Sequence, residues 1–345
     1  MGSVKDLKVI EQPVGSRSGS GMFTFSDRYS VFDWGEMPDL ITNKGKALCL
    51  IGAYFFEKLR ESGMECHYRG LVDDKGDVRQ LATIARAPST MAVDLYRVIR
   101  PTEREGVYDY SAYRGITENY LVPLEVIYRN SLPGGSSVFK RLADGTASLA
   151  GLGLEKMPSP GDALDRPILD VSTKLEATDR YLDWGEAESI SGLPDLKFSG
   201  MKKLVEEINA IITREVGTIG LINEDGKLEF AVNDAGAVVV VDVLGTPDEC
   251  RFTYNGIHVS KELARIYYRG SEWHRDVEEA KKKDRAAWKS LVTREPPRLP
   301  DKMARLISGM YQAVANELTG RRWFPVEPLA EIMKQIQSEL EKAEG

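Results

Sequence analysis

The stretch from Lys227 to Val243 constrains the fold more than any other part of this chain. Lys227–Val232 (KLEFAV) alternates charge with apolar residues, and Ala237–Val243 (AVVVVDV) is almost wholly β-branched. The four residues between them, NDAG at 233–236, carry turn chemistry, so the two runs read as antiparallel strands. A third short strand, Gly220–Asn223, precedes them across a turn at Glu224–Gly226. In a strand, residues two apart share a face, so Lys227 and Glu229 project together. Pairing through the 233–236 turn would bring Asp242 near them. Two carboxylates converging on a lysine suit a Mg²⁺ bound to a nucleotide polyphosphate, with hard oxygens for the metal and an ammonium for a phosphate. Charges exposed on one face of a hairpin are the alternative. Against that, Asp242 interrupts an apolar run, where an unpaired carboxylate is costly.

The rest of the chain alternates between sheet and helix signals. Leu7–Ile10 and Met22–Ser26 read as strands joined by a glycine-rich turn, GSRSGSG at 15–21. Strand, turn, strand is a hairpin, unlike the strand-to-helix loop of a Walker motif, and the GKS or GKT ending is absent. Ala47–Arg60 carries Leu48, Ile51, Phe55, Phe56 and Leu59 at helical spacing. Met91–Ile99 reads as a strand, and Arg100–Gly115 as an irregular excursion. Leu121–Tyr128 reads as a strand whose early proline places its start at an edge or at a lobe connection. A turn over Arg129–Ser137 follows, then a loop with one short helix over Ala143–Asp165. Phe198–Val216 reads as a helix capped by Ser199, and Met303–Leu318 and Val326–Lys342 as amphipathic helices. Lys281–Lys283, flanked by Glu278, Glu279, Asp284 and Arg285, reads as a solvated helix face.

Composition narrows the function classes. A chain of 345 residues corresponds to about two domains. Its 46 basic and 53 acidic side chains give a net charge of −7, a poor footing for sequence-independent nucleic-acid binding. Cys49, Cys66 and Cys250 are far apart and share no CxxC spacing, which excludes a disulfide framework and a cysteine zinc site. They read as reduced thiols of a cytoplasmic protein. His67, His258 and His274 form no metal-binding pair. No apolar run reaches the roughly 18 residues of a membrane span, and the start, MGSVKD, lacks a signal-peptide core.

Other clusters carry candidate chemistry. Arg129 with Ser136 and Ser137 frames a Gly-Gly turn suited to phosphate. Thr246–Arg251 (TPDECR) is a polar turn after the strand that carries Asp242. Asp170–Lys174 (DVSTK) has Glu176 and Asp179 downstream. The first two also read as surface turns, and the third says little by itself.

Taken in order, these pieces resemble the SAICAR synthetase family of purine biosynthesis. SDRYSVFD (Ser26–Asp33), NKGK (Asn43–Lys46), VPLEVIYRN (Val122–Asn130), PILDVSTK (Pro167–Lys174), GLINEDGKLEF (Gly220–Phe230), TPDECR and SKELAR (Ser260–Arg265) match family motifs from about Leu7 to about Tyr268. Some positions depart from the pattern. The early GKxR is reduced to Gly15-Ser-Arg17, the histidine expected before Asp179 is absent, and Glu249-Cys250 replaces two serines. These fit a divergent, archaeal-like branch.

The resemblance implies a two-lobed α+β fold related to kinases and ATP-grasp ligases. A small β-rich lobe would span 1–121, and a larger α+β lobe with the C-terminal helices 122–345. It implies a ligase that uses ATP and Mg²⁺ to join L-aspartate to the carboxylate of carboxyaminoimidazole ribotide (CAIR). Its partners would be these small molecules, with no nucleic acid and no membrane, and a homo-oligomer is compatible. By position, Glu229 and Asp242 would hold Mg²⁺, and Lys227 would contact a phosphate or the reacting carboxylate. Arg129, Ser136 or Ser137, Asp248 and Arg251 would hold the ribotide, with Lys174 and Asp179 toward the aspartate. Gly15, Arg17, Gly19 and Gly21 would cover the ATP phosphates, and Val122–Glu125 would lie beside adenine. Two other readings stay open: a related ATP-dependent ligase or kinase with another acceptor, and a nucleotide-binding regulator without turnover.

Overall fold

The computed structural model describes residues 4–284 and 287–344. The first three residues of the N-terminal segment weighed above as a leader, and Arg285 of the charged run, lie outside them. The first half contributes β1 (Lys5–Glu11), β2 (Gly19–Phe25), α1 (Lys44–Glu61), β3 (Tyr68–Val72), β4 (Val78–Arg79) and β5 (Thr90–Leu95). These strands form an antiparallel sheet in the order β1-β2-β5-β3-β4. A hairpin of β6 (Thr102–Arg104) and β7 (Val107–Asp109) stands apart. Thus Arg100–Gly115, expected to be irregular, holds a small hairpin.

The second sheet is built from β8 (Tyr120–Ser131), β9 (Ala163–Thr173), β10 (Ile222–Val232), β11 (Val238–Val241), β12 (Cys250–Tyr254) and β13 (Ile257–His258), with α2 (Ser137–Ala143), α3 (Trp184–Ser191) and α4 (Asp195–Gly217) between β8 and β10 in the chain. Its order is β13-β12-β10-β8-β9, with β11 also on β10. Then follow α5 (Glu262–Arg269), α6 (Glu272–Lys283), α7 (Trp288–Leu291), α8 (Asp301–Thr319) and α9 (Leu329–Glu344). Among the described residues no helix is long and apolar enough to cross a membrane.

Several local expectations are corrected. Glu224–Gly226 is no turn: β10 runs through it with a bulge between Asn223 and Asp225, so two strands replace the expected three. Gly226 is required there because a Cβ would lie 2.3 Å from the Tyr128 hydroxyl. The glycine-rich turn is shorter than 15–21. Gly19 and Gly21 already belong to β2, and a Cβ on Gly19 would meet the Glu11 carbonyl oxygen at 2.2 Å. Pro123 lies inside a strand paired on both sides, where a register shift removes the need for its missing N–H. Helix α4 starts at Asp195 behind Pro194, which places Ser199 inside it and not at its cap. The 163–173 run, expected to be mostly loop or unassigned, is strand β9. Within the charged run Lys281 is half-buried: it donates to the Phe32 carbonyl oxygen at 2.9 Å and sits over the Trp288 ring.

The C-terminal helices brace the first half of the chain. Helix α8 packs along α1. Its Ser308 hydroxyl donates to the Thr42 carbonyl at 2.7 Å, and Arg321, just beyond it, donates to the Ile84 carbonyl at 2.7 Å. The two sheets also meet directly, because Val240 of β11 exchanges backbone hydrogen bonds with Glu65 and His67 at 3.1 and 3.0 Å.

Candidate active site at the junction of two cavities

Two cavities meet where β8, β9 and β10 lie side by side. In register, Glu229 faces Glu125 across the β10–β8 pair. Like charges directly opposite destabilise a sheet, and two lysines resolve the conflict. Lys174, just past β9, lies 2.5 Å from Glu229 and 3.4 Å from Glu125. Lys227, two residues before Glu229, lies 2.9 Å from Glu125 and 3.5 Å from Glu229. The four side chains form a square in which each lysine touches both glutamates. Burial favours the neutral form of each member, but the opposite charges outweigh it for three of them. Both lysines are held above their ordinary value, and Glu125 below its own. Glu229 goes the other way: burial and the charge of Asp242 raise its carboxyl well above the usual range.

Asp242 ends β11 in a left-handed conformation, φ 64°, a strained state for a residue other than glycine. The strain is held from two sides. His67 Nε2 donates to the Asp242 carbonyl oxygen at 2.9 Å, and the Lys5 ammonium grips the carboxylate. Although burial opposes it, Lys5 holds this carboxyl far below the usual range. Burial lowers His67 to about 4, so its ring is neutral at pH 7.

One side of the square opens into a cavity of about 400 Å³ whose polar end is Lys5, Lys174, Glu229 and Asp242, and whose walls include Leu95, Val98, Leu121 and Val241. The other side opens into a cavity of about 430 Å³ dominated by charge. There Arg251 clasps Asp225 through Nε at 2.8 Å and through a second, shorter bond. Arg129 lies between Asp225 at 3.4 Å and Asp170 at 3.3 Å. The Nε groups of Arg129 and of Arg265, another lining residue, are buried without a hydrogen-bond partner. Ser137 Oγ is 2.9 Å from the Tyr181 hydroxyl. Asp248 is buried in the wall between Lys44 at 2.6 Å and the Tyr311 hydroxyl, which donates to it at 2.6 Å. Burial opposes ionisation of Asp248, but Lys44, Lys261 and the Tyr311 hydroxyl together hold its carboxyl below its ordinary value.

The structure thus brings Lys227, Glu229, Asp242 and Lys174 together at the junction. Arg129, Ser137, Asp248, Arg251 and Asp179 line the charged cavity. Ser136 instead caps α2, accepting from the Val138 amide. Glu125 belongs to the square and faces the charged cavity, away from the apolar wall. Gly15, Arg17, Gly19, Gly21 and Val122 line neither cavity. The 14–17 turn is instead pinned by Asn119, whose side chain donates to the Gly15 and Arg17 carbonyls at 3.0 and 2.7 Å. Sequence reasoning missed Lys5, Asp225, Tyr181, Lys261, Arg265 and Tyr311, and gave Lys44 no role. Asp225 alone had a local signal, standing two residues before Lys227 on the strand.

Comparisons with known proteins place the chain in a family. The family described as SAICAR synthetase matches residues 15–284. A chain from Archaeoglobus fulgidus, provisionally assigned as a phosphoribosylaminoimidazole-succinocarboxamide synthase, is 50% identical over 99% of this chain and 100% of its own length. The Thermoplasma acidophilum phosphoribosylaminoimidazole-succinocarboxamide synthase is 33% identical over 88% of this chain and 94% of its own. Among solved structures, the Saccharomyces cerevisiae SAICAR synthase complexed with SAICAR superposes with a TM-score of 0.64, at 19% identity and 94% coverage of both chains. A SAICAR synthetase in complex with ADP gives 0.55 at 21% identity, covering 87% of this chain and 99% of its own. At these identities the likeness is one of fold. With a shared fold, seven ordered motifs and a full-length relative at this identity, the chain belongs to the SAICAR synthetase family.

Proposed function

We propose that this chain joins L-aspartate to the carboxylate of CAIR, converting ATP to ADP and phosphate and yielding SAICAR for purine synthesis. The observation that carries the reading is the lysine–glutamate square between two cavities of opposite character. The apolar-walled cavity suits a nucleoside, with the polyphosphate toward Lys5 and Lys174. The charged cavity suits the ribotide phosphate, which would satisfy the orphaned Nε donors of Arg129 and Arg265 and reach Arg251 and Ser137. The ribotide carboxylate would then point at Lys227. In this arrangement Lys227 and Lys174 neutralise charge as a carboxylate oxygen attacks the terminal phosphorus and the bridging oxygen leaves with ADP. Attack by the aspartate amine on the acyl phosphate completes the reaction. Positioning and electrostatics supply most of the catalysis.

The residues present fit a Mg²⁺. Glu229 and Asp242 are adjacent carboxylates, and Glu229 Oε1 is buried without a hydrogen-bond partner, with lysine ion pairs as its only company. Mg²⁺ takes one or two carboxylates and keeps its other positions for phosphate oxygens and water. Among the described residues, no group of three His, Cys, Asp or Glu forms a cage of protein ligands alone. Bound there, the ion would neutralise polyphosphate charge and relieve the repulsion between the two carboxylates.

The strand partition supports a small lobe over 1–121 and a larger one over 122–345. The proposed setting is the cytoplasm, with small molecules as partners. The test is a coupled ADP-release assay with Mg-ATP, CAIR and L-aspartate, each omitted in turn. ADP release that needs all three, with SAICAR formed, is the expected result. Release that continues without aspartate would replace this reading with one involving another acceptor.

A further inference from the structure

A row of alternating charge crosses the second sheet. In register, Arg251 on β12 faces Asp225 on β10, and Asp225 faces Arg129 on β8. Arg129 in turn faces Ile168 on β9. Asp170, two residues along on the same face, accepts from Arg129 Nη2 at 3.3 Å. Opposite charges side by side stabilise a sheet. The row does not end with the strands. Arg141, on α2, donates to both oxygens of Asp170, through Nη1 at 3.2 Å and through a shorter bond from Nη2. The carbon of its guanidinium also lies 3.7 Å from the centre of the Tyr181 ring. The Tyr181 hydroxyl in turn accepts from Arg129 Nη2 at 3.4 Å. Arg141 thus backs two of the groups that flank Arg129.

Arg141 itself does not line the charged cavity. It lines a separate cavity of about 420 Å³ that shares Tyr181 with it. Its influence on a ligand of Arg129 and Arg251 therefore runs through Asp170 and Tyr181. Arg129 and Asp170 are only 3% and 4% exposed, so neither charge can turn to water. Among the described residues, Asp170 without Arg141 would have Arg129 as its one cation, and Arg129 already meets Asp225 at 3.4 Å. Two arginines would then face two carboxylates and cancel. Arg141 supplies a third cation from outside the cavity and leaves Arg129 with charge to spare for an anion.

We infer that Arg141 is a positioning residue for the ribotide phosphate: by holding Asp170 it keeps the Arg129 guanidinium available to the charged cavity. The identity of that phosphate rests on the ligase reading. No bond is made or broken through Arg141, and it touches neither substrate. Its effect must pass through Asp170, which separates this role from plain packing of α2. A lysine at 141 would restore the charge but could not hold both carboxylate oxygens as a fork does.

The test is a mutant cycle on Arg141 and Asp170 in the full chain. Arg141→Met should raise KM for CAIR by about 30-fold, the low end for removing one partner of a buried charge pair, with kcat and KM for ATP within about twofold. In an Asp170→Asn background the same substitution should change KM for CAIR by less than about threefold, because the group it acts through is gone. Arg141→Lys should stay within about fivefold of the wild type. Ribose 5-phosphate, which carries the phosphate and little else, should lose affinity in Arg141→Met by the same factor as CAIR, read by calorimetry. Arg141→Met alone should also lower Tm, since it leaves Asp170 short of a partner, and the double variant should regain it. An equal rise in KM for CAIR in both backgrounds, a fall in Tm with KM unchanged, or a matching rise in KM for ATP would each overturn the inference and leave the ligase reading standing. If the wild type makes no SAICAR, the ligase reading falls, and the cycle read by ribose 5-phosphate binding still decides the role of Arg141. A wild type that does not bind ribose 5-phosphate even at millimolar concentration would overturn the inference.

Discussion

The two cavities solve the problem of binding anions in opposite ways. The apolar-walled cavity carries Lys5, Lys174, Glu229 and Asp242 where it meets the other, with Asp94 and Arg100 also on its lining, and Glu229 there has a raised pKa and an oxygen without a hydrogen-bond partner. The charged cavity is already balanced: its arginines are shared with Asp225 and Asp170, and its free capacity lies in the Nε donors of Arg129 and Arg265. The second cavity selects by the direction of fixed donors, which favours a planar fork over a point charge. Substitutions on the first side should therefore act on turnover, and those on the second on the affinity for one substrate.

The largest test of this contrast removes charge from the nucleotide side. Glu229→Gln and Asp242→Asn should each lower kcat by about three decades, corresponding to roughly 4 kcal/mol of lost charge stabilisation. KM for CAIR should hold within a few-fold; Tm should be nearly unchanged for Glu229→Gln and lowered for Asp242→Asn, which leaves Lys5 without its ion-pair partner. Near wild-type rates in both variants would remove the metal assignment. A smaller effect is expected from Arg251→Lys. Losing the fork should raise KM for CAIR by about 10- to 100-fold while kcat and KM for ATP change little. An equal loss in the ATP constants would show that the cavities are not independent. The smallest is Tyr311→Phe. Leaving one oxygen of buried Asp248 without its donor costs about 1–2 kcal/mol, which should appear as a several-fold rise in KM for CAIR with nucleotide binding untouched. A purely structural role would lower Tm and leave that KM alone.

The junction was legible in the sequence for a simple reason. The two-residue period of a strand puts Lys227 and Glu229 on one face, and Asp242 stands out because it breaks an apolar run. The charged wall was not legible in the same way. Asp225 and Gly226 have poor strand propensity and look like a turn. Only the tertiary setting reverses that, because two arginines satisfy Asp225 and the Tyr128 hydroxyl occupies the space a side chain on residue 226 would need. Lys5 and Tyr311 carry no local signal, since each meets its partner far along the chain, at separations of 237 and 63 residues. The glycine-rich turn misled in the other direction. Its glycines at 19 and 21 serve the close approach of β1 to β2, and the turn itself is fastened to Asn119.

The clasp on Asp248 has a consequence for how the protein is made. Its two holders lie on opposite sides of it in the chain, Lys44 at a separation of 204 residues and Tyr311 at 63. Until helix α8 has cleared the ribosome, Asp248 has its salt bridge but lacks its second donor, and the charged cavity lacks a finished wall. The nascent chain can therefore assemble both sheets and the lysine–glutamate square during synthesis. The wall of the charged cavity must wait for α8 to dock, after the lining residues themselves have been translated.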